Sequence, residues 1–70
     1  MRALSGKEVC KLLEKHGWAL ARIRGSHHIY TKPGRPENVS VPVHGNRALK
    51  KGTLHGILRR AGLKRADLSD

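Results

Sequence analysis

Seventy residues suffice for one small domain, because chains split into separate cores only at roughly 250 residues or more. Fifteen Lys and Arg against five Asp and Glu leave a net charge of +10, which predicts a surface that attracts polyanions: nucleic acid or an acidic partner. A single cysteine excludes an internal disulfide framework, and no apolar run approaches the roughly 18 residues of a membrane span, so the expectation is one soluble, cytoplasmic domain over residues 1–70 with no membrane contact.

In chain order, Ser5-Gly6-Lys7-Glu8 reads as a capping box, and Val9, Leu12, Leu13 and His16 keep helical spacing up to Gly17. A helix is therefore predicted over residues 5–16. Residues 18–24 alternate loosely, with Ala19, Ala21 and Ile23 on one side and Trp18, Leu20, Arg22 and Arg24 on the other; either side could be buried. Trp18 is expected in the core. Gly25-Ser26 marks a turn into a second strand, 27–32, in which Ile29 points opposite to His28 and Tyr30. Pro33-Gly34-Arg35-Pro36 closes the next connection, and residues 38–43 give the cleanest alternation, with Val39, Val41 and Val43 on one face and Pro42 marking an edge strand. After a polar loop, Thr53 is placed as the N-cap of a helix over 53–61 carrying Leu54, Ile57, Leu58 and Ala61, with Gly62 ending it and Leu63 folding back onto Leu58. The polar tail from Lys64 to Asp70 is expected to fray.

The predicted fold is α+β, in the order α-β-β-β-α: a three-stranded antiparallel sheet with both helices on one face, as in double-stranded-RNA-binding domains. If Ile29 and the three valines face the helices, His28, Tyr30 and Ser40 lie on the opposite, free face.

From Asn38 to Ala66 the chain carries seven basic residues and no acid. Arg47, Lys50 and Lys51 lie just before the second helix, where free amides add to their attraction for phosphate. Trp18 and Tyr30 are too few for a base-stacking platform, although Tyr30 could stack one base. Five histidines raise the question of a metal, but there is no Cys-x-x-Cys and His27 and His28 point apart, so no metal is expected. General acid–base chemistry suits a histidine better, since it takes and gives a proton near neutrality. RNA carries its own nucleophile, the 2′-hydroxyl. Spacing alone does not select among His16, His27, His28, His44 and His55. Gly-x-Ser-x-Gly, Gly-x-Gly-x-x-Gly and Walker sequences are absent, which leaves a serine nucleophile and nucleotide cofactors without support.

Taken together, His16-Gly17-Trp18, Arg24-Gly25-Ser26-His27-His28-Ile29-Tyr30, Val41-Pro42-Val43-His44, Leu49-Lys50-Lys51-Gly52-Thr53-Leu54 and Ile57-Leu58-Arg59-Arg60-Ala61-Gly62-Leu63 resemble the HicA toxins of type II toxin–antitoxin systems, small ribonucleases that cleave messenger RNA. The resemblance runs from Ser5 to Leu63. It implies a double-stranded-RNA-binding-like fold, RNA cleavage without metal or cofactor, one essential histidine aligned with His28, and a HicB antitoxin as partner. On this reading Arg47, Lys50 and Lys51 hold phosphate, Tyr30 positions a base or the scissile group, Ser26 shapes the turn and can reach a phosphate, and His44 is a secondary RNA contact. Without catalysis, the charge would equally suit an RNA-binding module that follows phosphates by shape. A helix-turn-helix DNA reader fits poorly with the Val39, Val41, Val43 strand.

Overall fold

The computed structural model describes residues 3–68. Helix α1 (Gly6–Lys15) leads into strands β1 (Ala19–Arg24), β2 (His27–Lys32) and β3 (Arg35–Pro42), then helix α2 (Lys51–Ala61) and one 3-10 turn at Arg65–Leu68. The strands pair antiparallel in the order β1-β2-β3, which leaves β1 and β3 as the edges. The expected α-β-β-β-α order is present.

Local chemistry sets the ends of the elements. Ser5 accepts from the Glu8 amide while the Glu8 carboxylate accepts from the Ser5 amide at 2.9 Å, the reciprocal box predicted. Both helices finish with the same pair of bonds. Trp18 N–H donates to Leu13 and Gly17 N–H to Glu14; Leu63 N–H donates to Leu58 and Gly62 N–H to Arg59, as in a Schellman motif. Gly25 has φ 62 and Ser26 has negative φ, which is the II′ pattern favoured in two-residue hairpin loops.

Four expectations are corrected. Strand β3 starts at Arg35, because Pro33-Gly34 alone make the turn, and Pro36 is tolerated on an edge. Helix α2 starts at Lys51 with Lys50 as N-cap, so Thr53 lies inside its first turn. The tail as far as Leu68 folds into its 3-10 turn, where Lys64 N–H donates to the Asp67 carboxylate at 2.7 Å and Leu68 packs on the core; Ser69 and Asp70 lie outside the described residues. The largest correction concerns the faces of the sheet. Directly paired residues of an antiparallel ladder share a face. Tyr30 pairs with Val39 and His28 with Val41, while Ile29 pairs with Ser40. The helices therefore cover the face of Tyr30, Val39 and Val41, and it is Ile29 that lies opposite.

The core joins Leu4, Val9, Leu12, Leu13, Trp18, Tyr30, Val39, Val41, Leu54, Ile57, Leu58 and Ala61. A core of this size supplies about 3–5 kcal/mol. Tyr30 enters it because its hydroxyl donates to the Glu14 carboxylate at 2.7 Å, so burying the ring leaves no phenol orphaned. Arg35 ties the far end together: its guanidinium lies over the Trp18 ring, 5.8 Å from the centroid, and Nη2 donates to the Arg60 carbonyl in the last turn of α2. Gly6 is where α1 meets the sheet. A Cβ there would collide with the Pro42 carbonyl, so only glycine allows so close an approach.

Candidate functional site

The helices cover the β2–β3 side of the sheet and leave β1 bare. All six β1 residues are exposed, and the two large exposed apolar side chains among the described residues, Leu20 at 44% and Ile23 at 54%, both belong to it. A bulge between Leu20 and Arg22 sets this pattern. Leu20 pairs with Tyr30 and Ile23 with His28, so the loosely alternating sequence becomes one apolar strip on the helix-side face. Arg22 and Arg24, paired with Ile29 and His27, point to the other face.

His28 sits at the border between these regimes. Val41, on one side, is fully buried; Ile23, on the other, is exposed; the imidazole itself is half-buried. It stands on the central strand, held by ladders on both sides, so its backbone is rigid while its side chain faces the bare strip. The expected exposed position on the free face is thus replaced by a half-buried one on the helix-side face. His27 is exposed on the opposite face.

Tyr30 does not share this accessibility. It is 1% exposed, and burial, then its hydrogen bonds with Cys10 and Glu14, push the phenol well above its ordinary value. Its ring has no open face to offer a base; it is a core residue. Burial likewise raises the Cys10 thiol, with Glu14 adding to the shift and the Tyr30 hydrogen bond opposing it. Cys10 is therefore a neutral packing group.

Two candidates gather at the His28 end of the sheet. Ser26, half-buried in the β1–β2 turn, accepts through its carbonyl from the Val43 amide at 2.7 Å, and this bond brings exposed His44 to the same end. The chain then turns back, with the Arg47 amide donating to the His44 carbonyl, and runs beside the start of α1 through the Leu49 amide to Leu4 carbonyl bond. Arg47, Lys50 and Lys51 are all exposed. Lys50 caps α2 without a side-chain hydrogen bond, and the first turn of α2 holds no acid. The free amides of that turn and the two lysines beside them together make a region of positive potential.

Spacing could not show that α1 contributes to this basic surface. Lys7 and Lys11, one turn apart, line a shallow hollow with Ser5, Glu8, Asn46 and Ala48, where the isolated Ser5–Ala48 bridge draws the loop against the helix and the Glu8 carboxylate is held by the Ser5 amide. Their i, i+4 spacing marks one helix face, but what lies opposite it depends on a fold contact distant in sequence. Among the described residues, no group of three or more His, Cys, Asp or Glu side chains is placed to hold a metal ion, and no helix is long and apolar enough to cross a membrane.

Compared with known families, residues 6–63 match the sequence profile described as HicA toxin of bacterial toxin-antitoxin systems. No curated protein gives a significant match.

Proposed function

Because the chain belongs to the HicA toxin family, with the match spanning nearly all of it, we propose that it is a messenger-RNA-cleaving toxin of the cytoplasm that uses His28 and is neutralised by a HicB-type antitoxin. Toxin function within a toxin–antitoxin pair follows from the family itself. The observation that carries the chemistry is the border position of His28: a titratable side chain on a rigid central strand, reachable from the bare β1 strip, on a molecule of charge +10.

In the proposed reaction, the His28 imidazole takes the proton of a ribose 2′-hydroxyl. The 2′-oxygen attacks the adjacent phosphorus, and the P–O bond to the 5′-oxygen breaks. The imidazolium returns its proton to that leaving oxygen, giving a 2′,3′-cyclic phosphate and a 5′-hydroxyl. Lysine and arginine side chains offset the added negative charge on the phosphorane. Lys50, Lys51 and Arg47 are the cations assigned to the RNA backbone, with Ser26 and His44 at the His28 end of the sheet. This route needs neither metal nor cofactor from the protein.

The test is cleavage of a long single-stranded RNA in EDTA by the wild type, His28→Ala and the volume-preserving His28→Gln, with circular dichroism confirming that each is folded. Loss of a general base predicts a rate about 10²–10⁴ lower in both variants. Equal rates in folded variants, or RNA binding with no cleavage by any form, would replace the nuclease with an RNA-binding module.

A further inference from the structure

The two edges of the sheet are protected differently. Among the described residues no strand pairs with the outer edge of either, but β3 carries Pro36 and Pro42 and lies under both helices, whereas no proline interrupts β1. Its bulge and its two arginines deter a like-charged strand, but the unpaired main-chain groups stay open to one of opposite charge. We propose that β1 is the docking strand for an acidic, extended segment of the antitoxin, which adds to the sheet as a fourth strand and covers His28. The inference rests on the toxin reading above and assigns its partner a surface and a mode of binding.

Charge and pattern identify the occupant. An added strand lays alternate side chains on the two faces. On the helix-side face they meet Leu20 and Ile23, so apolar groups fit; on the other they meet Arg22 and Arg24, so carboxylates fit. The favoured segment therefore alternates apolar with acidic residues, with main-chain bonds to the open edge giving affinity and the two rows of side chains giving selectivity. A second copy of this chain would bring arginine edge and net charge +10 against their like. Because Ile23 pairs directly with His28, apolar groups laid over Ile23 close the approach to the imidazole.

The probe is a short synthetic peptide alternating glutamate with valine, ended by prolines to keep it monomeric. Its binding is followed by fluorescence anisotropy, and amide hydrogen exchange maps its location. The peptide should slow exchange in Ala19–Arg24. The doubly substituted Leu20→Lys, Ile23→Lys chain, altered only at exposed positions, should bind it at least about tenfold more weakly, a change of about 1.4 kcal/mol. A peptide N-methylated at alternate residues, which lacks edge donors without altering the protein, should not bind.

No binding, protection elsewhere, equal binding by the substituted chain, or equal binding of the N-methylated peptide would each overturn the inference. So would self-association through β1 in sedimentation, or RNA protecting the same amides in place of the peptide. The two readings fail separately. A chain that cleaves RNA but ignores the peptide loses only the docking strand; one that binds the peptide along β1 but never cleaves loses only the nuclease.

Discussion

Strands β1 and β3 flank the same central strand, yet one is wrapped and the other bare. On β3, Val39 and Val41 are fully buried beneath two helices; on β1, Leu20 and Ile23 hold comparable apolar surface in water. The contrast shows how a domain of this size divides its labour. Two short helices can cover little more than two strands, and the third is left with its apolar face open next to His28. Burial, and with it stability, resides on the β3 side, while the proposed docking and cleavage lie on the β1 side.

The sharpest way to break that division is at its border, where His28→Ala should reduce cleavage by about 10²–10⁴ with little loss of folding. Next in size is a matched pair of truncations. Leu13→Ala, in the covered core, should cost about 2–5 kcal/mol in urea unfolding, enough to unfold much of the population. Leu20→Ala on the bare strand should stay within about 0.5 kcal/mol. Comparable losses from the two would mean that β1 is as much a part of the core as β3.

How far the sequence anticipates this contrast depends on the kind of information required. Ser5 with Glu8, and Gly17 and Gly62, set helix ends through contacts a few residues apart, and those ends are legible. That His28 shares a face with Tyr30 and not with His27 is also legible, because strand alternation is local. Which face the helices cover is not. Ile29 is the more apolar of the candidates, but Tyr30 has a partner in Glu14, sixteen residues away, and only the folded chain brings them together. The bulge that unites Leu20 with Ile23 is equally hidden, since one unpaired residue reverses the phase of everything beyond it. Lys50 displaces Thr53 as N-cap for a related reason: the loop packs against Leu4 and Ser5, and that fixes where the helix begins.

Arg35 gives a test of intermediate size on the wrapped side. Removing its guanidinium by Arg35→Ala should cost about 1–2 kcal/mol, as the Arg60 carbonyl and the Trp18 ring lose their contact. A pH titration sharpens the comparison further. Burial holds the Tyr30 phenol, and less strongly the Cys10 thiol, in the protonated form when folded. Their contribution is complete below the unfolded values, near 10 for the phenol, and is lost as pH rises beyond them, because the unfolded chain then releases protons that the native one retains. Unfolding midpoints should therefore fall between pH 9 and 11, and Tyr30→Phe should flatten most of that fall. The chain has one tyrosine, so its phenolate absorbance reports the same event directly. The smallest effect is expected away from both edges: Lys50→Ala with Lys51→Ala should lower the salt slope of single-strand RNA binding by about 0.7 per lysine. An unchanged slope would remove the start of α2 from the RNA surface.

Gly6 has a wider reach than its size suggests. Its contact with the Pro42 carbonyl lies one residue before Val43, whose amide bonds to the Ser26 turn from which His28 follows. A methyl group at position 6 would pry the helix from the strand end and slacken that turn in the same stroke. Gly6→Ala is thus a natural candidate for a conditional allele, a toxin that works in the cold and fails when warmed while every residue of its proposed catalytic and docking surfaces stays unchanged.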